Sequence, residues 1–151
     1  TDPGAPSIYY GDEIGMSGVH DPGCRGGFPW DENGWDRDLH GFVRRCTALR
    51  HAHPALRWGK MDWLFAGQGV VVYLRHLDQD ESRSSDALIV AINNTRRPVI
   101  LDVPVGKYLV DGTIVRAEWD TFESHVADGR IGAVRIPARA GTILQVVPPS
   151  A

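Results

Sequence analysis

Gly4-Ala5-Pro6-Ser7-Ile8-Tyr9-Tyr10-Gly11-Asp12-Glu13-Ile14-Gly15-Met16 decides how the rest of the chain is read. A short apolar run ending in two tyrosines and then Gly-Asp-Glu predicts a buried strand that delivers polar groups to a loop at its carboxyl end. Loops at that end of parallel strands are where barrel enzymes keep their chemistry. Length places the stretch within something larger. The 151 residues hold one ordinary domain with a real core, whereas a complete (β/α)8 barrel takes about 250 residues.

Working outward, residues 15–35 are dense in chain breakers: Gly15, Gly18, Asp21-Pro22-Gly23, Gly26-Gly27, Pro29 and Gly34 exclude regular structure. A loop of that length in a compact protein is functional or disordered. A helix of about thirteen residues follows, from Asp38 toward His51, because Leu39, Phe42, Val43, Cys46 and Leu49 recur at helical spacing. Arg37, Arg44, Arg45 and Arg50 lie off that stripe, Asp36 or Asp38 can cap the start, and Pro54 marks the exit.

From about Leu56 the period changes to that of strands. The β-rich runs are residues 61–65, 70–74, 87–92, 99–103, 108–110, 114–115, 134–136 and 143–147. Turn signals separate them at Gly67-Gln68-Gly69, Asn93-Asn94-Thr95, Val105-Gly106-Lys107, Asp111-Gly112-Thr113, Asp128-Gly129 and Ala140-Gly141, with Asp111-Gly112 the strongest hairpin signal. The polar run from Asp78 to Asp86 reads as a hairpin tip. Strands with no intervening helix predict an antiparallel sandwich. The fold class is thus mainly β, with a barrel-type strand-loop-helix unit in residues 1–55 and a sandwich in residues 56–151.

A formal net charge of −3 supplies no electrostatic case for nucleic acid or an anionic membrane surface as partner. No apolar window approaches the roughly 20 residues that span a bilayer, and Thr1-Asp2-Pro3-Gly4 lacks the features of a secretory signal. Cys24 and Cys46 are too few for a disulfide framework and lack zinc-type spacing. Cys46 falls on the apolar helix stripe as a reduced buried thiol, which fits a cytoplasmic setting, although the compartment is left open by an amino terminus that starts inside a domain. No phosphate loop, Ser-His-Asp arrangement or metal-ligand cluster occurs, so no cofactor is expected.

The opening stretch closely resembles the eighth barrel strand and following loop of the alpha-amylase family of glycoside hydrolases, where a Gly-x-Pro-x-Ile-Tyr-Tyr-Gly-Asp-Glu pattern recurs. Asp21-Pro22-Gly23-Cys24-Arg25-Gly26-Gly27-Phe28-Pro29-Trp30-Asp31 is similar to the Asp-Pro-x-Cys-Arg-x-Pro-Phe-Pro-Trp-Asp stretch of the neopullulanase, maltogenic amylase and alpha-glucosidase branch. Gly26-Gly27 departs from that pattern and leaves the loop freer. Ala87-Leu88-Ile89-Val90-Ala91-Ile92-Asn93-Asn94 and Ile136-Pro137-Ala138-Arg139-Ala140-Gly141-Thr142-Ile143-Leu144 resemble phrases of the sandwich that follows the barrel in that family, which implies Greek-key connections. The resemblance implies a retaining hydrolase of α-glucosidic bonds, working through an aspartate nucleophile and a glutamate acid/base on earlier strands. On that reading this chain is the carboxy-terminal portion, inactive alone. Its partners are an α-glucan oligosaccharide in the intact enzyme, the preceding barrel, and further copies of itself that cover the orphaned strand and helix.

The candidate substrate-binding residues are Arg25, Trp30, Tyr10 and Asp12, and none is assigned as catalytic. Asp12 and Glu13 leave a strand in opposite directions and do not easily flank one scissile bond. Arg25 can bond two sugar hydroxyls or hold a carboxylate ionised; it can equally brace the loop against backbone carbonyls. Trp30 and Trp35 can stack on sugar rings, with loop anchoring the competing role for Trp30. Trp58, Trp63 and Trp119 are expected in core or interface packing. His51 and His53, with His40 nearby, are expected to be solvated near the helix end, since i, i+2 spacing does not bring two imidazoles onto one face. The alternative reading is a stand-alone carbohydrate-binding or interaction module displaying Trp63 and Trp119, for which exposure of those indoles is the discriminator. A third is one chain of a split enzyme, with the barrel supplied in trans.

Overall fold

The computed structural model describes residues 1–77 and 86–147, so the run expected as a hairpin tip, but for Asp86, lies outside the described residues. The chain forms two compact units: Gly4–Ala52, and Thr1–Pro3 together with the chain from His53 onward.

In the first unit, single 3-10 turns at Asp12–Ile14, Gly23–Arg25 and Glu32–Gly34 precede helix α1, Arg37–Ala52. Asp36 caps α1: its Oδ1 accepts from Leu39 N–H at 2.9 Å while its carbonyl accepts from His40 N–H. The buried Ile14 ties the loop to this cap, its carbonyl accepting from Asp36 N–H at 3.0 Å. Leu49 is buried, Leu39, Val43 and Cys46 are half-buried, and Phe42 is exposed. Burial pushes the Cys46 thiol above its ordinary range.

One expected element is missing from this unit. Residues 5–9 form no strand, and Ile8, Tyr9 and Tyr10 are exposed. A strand is held by ladder bonds to its neighbours, and among the described residues no strand pairs with this segment.

The second unit begins with the short helix α2, Pro54–Trp58, and continues through β1 (Lys60–Gly67), β2 (Val70–His76), β3 (Ala87–Asn93), β4 (Val99–Pro104), β5 (Ile114–Ala117), β6 (Glu123–Ala127), β7 (Arg130–Ile136) and β8 (Ala140–Val147). The strand order is β1-β2-β3-β8-β5-β6-β7-β4, every pairing antiparallel. Strands β5, β6 and β7 form a meander with β4 returning beside β7, a Greek key. The two ends of the sheet, β1 and β4, come into contact, so it rolls toward a barrel.

Alternation sets the core. Val70, Val72 and Leu74 of β2, Ala87, Ile89 and Ala91 of β3, and Leu144 and Val146 of β8 point inward with Val103, Val115, Val126, Ile131, Val134 and Ile136. The outward residues Tyr73, Leu88 and Val90 are buried as well, and α2 packs on β2 and β3. That double burial is why these runs read as continuously apolar.

Three readings change here. Residues 108–110 are not a strand: the N–H groups of Tyr108 and Leu109 both turn back onto the Val105 carbonyl. Residues 123–127 are a strand, hidden in the sequence because Val126 is its one fully buried side chain. Asp111-Gly112 does not join paired strands; the tight hairpin is Asp128-Gly129 between β6 and β7, with φ 50° and 69°. The Asp111 carboxylate accepts from the N–H groups of both Asp128 and Gly129 and braces that hairpin. Trp58, Trp63 and Trp119, expected in core or interface packing, are not in the core, with exposures of 79%, 60% and 39%. Trp63 lies on β1 opposite Tyr73 and meets its ring edge-on at 5.7 Å.

Candidate functional site

The polar loop of the first unit carries the residues proposed for substrate. Gly11 turns the chain in the left-handed region at φ +90°, where a Cβ would lie 2.7 Å from the Met16 side chain. Immediately after it, Asp12 is exposed on the 3-10 turn. Glu13 folds back so that its Oε2 accepts from Gly11 N–H at 2.9 Å. The two carboxylates therefore do different work, one bracing the turn and one open to solvent. Tyr10 donates its hydroxyl to the Gly26 carbonyl at 3.0 Å, linking the start of the loop to the Gly26-Gly27 step.

Arg25 forms an i, i+4 ion pair with Asp21 at 2.5 Å, both side chains exposed. Its fork is oriented by a carboxylate and remains within reach of solvent. Trp30 is 83% exposed and packs one side of its ring on Phe28 at 4.8 Å. Trp35 holds the base of the loop: its Nε1 donates to the Pro29 carbonyl at 2.7 Å, and Phe28 and His40 meet it edge-on. Arg37 covers its ring at 5.6 Å and pairs with Glu32. The loop thus has an anchored tryptophan, Trp35, and a displayed one, Trp30.

The β-unit contains polar clusters that the sequence did not reveal. Arg75, fully buried on β2, donates to five carbonyls: those of Lys60, Thr1, Ala55, Leu56 and Gly59. His53, expected in solvent, is buried between Asp86 (Nδ1 to Oδ1, 2.8 Å) and Glu118 (Nε2 to Oε1, 3.3 Å). The spacing argument considered only the helix end, and these partners come from distant loops. His76 reaches Asp62 at 2.7 Å through Nε2. That hydrogen bond, with Tyr108 and Lys107 adding to it and burial opposing, holds the Asp62 carboxyl below the usual carboxylate range. Among the described residues no group of His, Cys, Asp and Glu is arranged to hold a metal ion, and no helix is long and apolar enough to cross a membrane.

No protein-family model matches this sequence. Individual relatives do. A cyclomaltodextrinase of Bacillus sp is 44% identical over 95 residues, 62% of this chain and 16% of the relative. An amylopullulanase of Thermoanaerobacterium saccharolyticum is 31% identical over 147 residues, 94% of this chain and 11% of the relative. The crystal structure of a debranching enzyme from Nostoc punctiforme superposes with a TM-score of 0.70 at 33% identity, covering 94% of this chain and 28% of that one. The chain belongs to the alpha-amylase family of glycoside hydrolases. Its sandwich is the C-terminal domain of that family, and the chain spans less than a fifth of the length of the first curated relatives it matches.

Proposed function

We propose that this chain is the carboxy-terminal portion of a retaining hydrolase of α-glucosidic bonds in starch-like oligosaccharides, with nucleophile and acid/base on barrel strands that precede it. The carrying observation is the similarity over 94% of the chain to enzymes many times its length. Within that portion the 10–35 loop contacts the glucan. Arg25 offers its fork to sugar hydroxyls, Trp30 offers a stacking face, and Tyr10 and Asp12 border the same turn. The partners are the α-glucan, the preceding barrel, and in its absence a second copy of the chain; the reading assigns no role to nucleic acid, a membrane or a cofactor.

The geometry of Asp12 and Glu13 supports inactivity of the chain by itself. Glu13 is committed to the Gly11 amide and Asp12 faces solvent, whereas a retaining pair has two carboxyl groups about 5–5.5 Å apart across the bond. Purified chain is expected to release no sugar from starch, pullulan, maltotriose or a nitrophenyl α-glucoside above buffer. Turnover abolished by Asp12→Asn or Glu13→Gln would overturn the reading. A second reading, a carbohydrate-binding surface on the β-unit, is favoured by the exposure of Trp63. Maltooligosaccharide binding that survives Trp30→Ala and is lost in Trp63→Ala would select it.

A further inference from the structure

The cluster around His53 has no part in glucan contact, yet it sits where the chain passes from one unit to the other: Gly4–Ala52 ends one residue before it. Three separated parts of the β-unit meet on this imidazole. It belongs to the start of α2, Asp86 precedes β3 and Glu118 follows β5. Asp86 has a second task, since its Oδ2 accepts from Ala55 N–H at 2.8 Å and so holds the first turn of α2. At the other end of α2, Arg75 gathers the carbonyls of Ala55, Leu56 and Gly59, and it also holds the carbonyl of Thr1. Tyr73 adds a hydroxyl contact to Thr1 Oγ1 at 2.6 Å. Both places where the chain crosses between the units are therefore fastened within the β-unit, one by Arg75 and Tyr73, the other by His53.

The two fastenings differ in one respect. A guanidinium does not change its charge in proteins, but an imidazole does. Each ring nitrogen of His53 faces a carboxylate oxygen, so both are satisfied only when the ring carries two N–H groups. A ring with one proton serves one carboxylate and turns a lone pair toward the other, an unfavourable contact between largely buried groups. We propose that His53 is a proton-operated clasp at the junction: its two-proton form locks α2 and the returning chain to the sheet, and loss of one proton as pH rises releases Glu118 and loosens the first turn of α2. The other charged groups on α2 or bonded to it are Arg57 and Arg75, and Arg75 also holds the Thr1 carbonyl.

The test is amide hydrogen exchange by NMR on the full chain from about pH 5.5 to 8.5, with rates corrected for intrinsic pH dependence. Protection at Ala55 and Leu56 is expected to fall about tenfold across that range, as for loss of one charged hydrogen bond, while Val72 and Leu144 in the core strands keep theirs. His53→Gln should abolish the pH dependence. Glu118→Gln should do so too, because an amide can face either form of the ring, and it decides the matter if His53→Gln does not fold. Protection at Ala55 and Leu56 that follows Val72 and Leu144 in the unaltered chain would overturn the proposal. So would a dependence that survives in either variant, which would place its origin outside the His53–Glu118 pair.

Discussion

Replacing Arg75 with methionine tests whether the β-unit depends on a buried guanidinium. The side chain is fully buried and serves five carbonyls. Those of Lys60, Thr1 and Gly59 are bonded at partly buried sites, so water can replace some of what is lost. The bonds to Ala55 and Leu56 are wholly buried. Leaving a buried acceptor unpaired costs about 1–3 kcal/mol, so two such carbonyls set the loss at about 2–6 kcal/mol. Methionine returns part of this, since a neutral side chain is cheaper to bury than a cation. The expected net destabilisation is about 2–4 kcal/mol, a large share of the roughly 5–15 kcal/mol typical of a domain. Urea unfolding at neutral pH, followed by circular dichroism and by tryptophan fluorescence, should show the midpoint falling by about 1–2 M for a typical slope. Lysine should fall between the two, because its three donors leave one atom and cannot span the same carbonyls. A methionine variant within about 1 kcal/mol of the parent would refute the reasoning.

Three further outcomes are expected. Asp62 titrates below the usual carboxylate range in the folded chain, chiefly through the His76 hydrogen bond, so its stabilisation is present above that range and lost as pH falls through the depressed value; thermal melts should show Asp62→Asn destabilising near neutrality and progressively less toward about pH 3, and an equal cost throughout would count against the pairing. Gly106→Ala places a Cβ 2.9 Å from Gly129 Cα, against the Asp128-Gly129 hairpin; it should cost about 1–3 kcal/mol as overpacking does, and an unchanged melting temperature would show that the contact yields freely. Light scattering at micromolar concentration should find the chain self-associated through Ile8, Tyr9, Tyr10 and Phe42, all exposed, with Phe42→Glu shifting it toward monomer; a monomeric parent chain would dismiss self-association.

Much of this protein was legible locally. The stripe from Leu39 to Leu49 foretold α1, and Asp36 could be named among its caps because a cap is chosen by residues a few positions apart. Apolar runs such as 70–74 and 87–92 foretold β2 and β3, since a strand buried on both faces is apolar on both. Strand β6 escaped because one buried valine among polar residues carries too little periodicity. The tight hairpin was placed at Asp111-Gly112 when it forms at Asp128-Gly129: both are Asp-Gly pairs, and only strand pairing distinguishes a turn from a hairpin.

By itself the sequence determined the class of the sandwich, the helix, the irregular loop and the family, because short-range periodicity, turn chemistry and motif spacing depend on neighbours along the chain. Tertiary structure alone decided that residues 5–9 form no strand, that three tryptophans are not core, and that Arg75 and His53 are the polar fastenings of the β-unit. Nothing in the sequence singles out Arg75 until Thr1, Ala55 and Gly59 bring it their carbonyls, and His53 reads as a solvated helix end until Asp86 and Glu118 close on it. Burial of a charged or polar side chain depends on partners far away in sequence, and those partners are assembled only when the sheet rolls up and the chain returns to it.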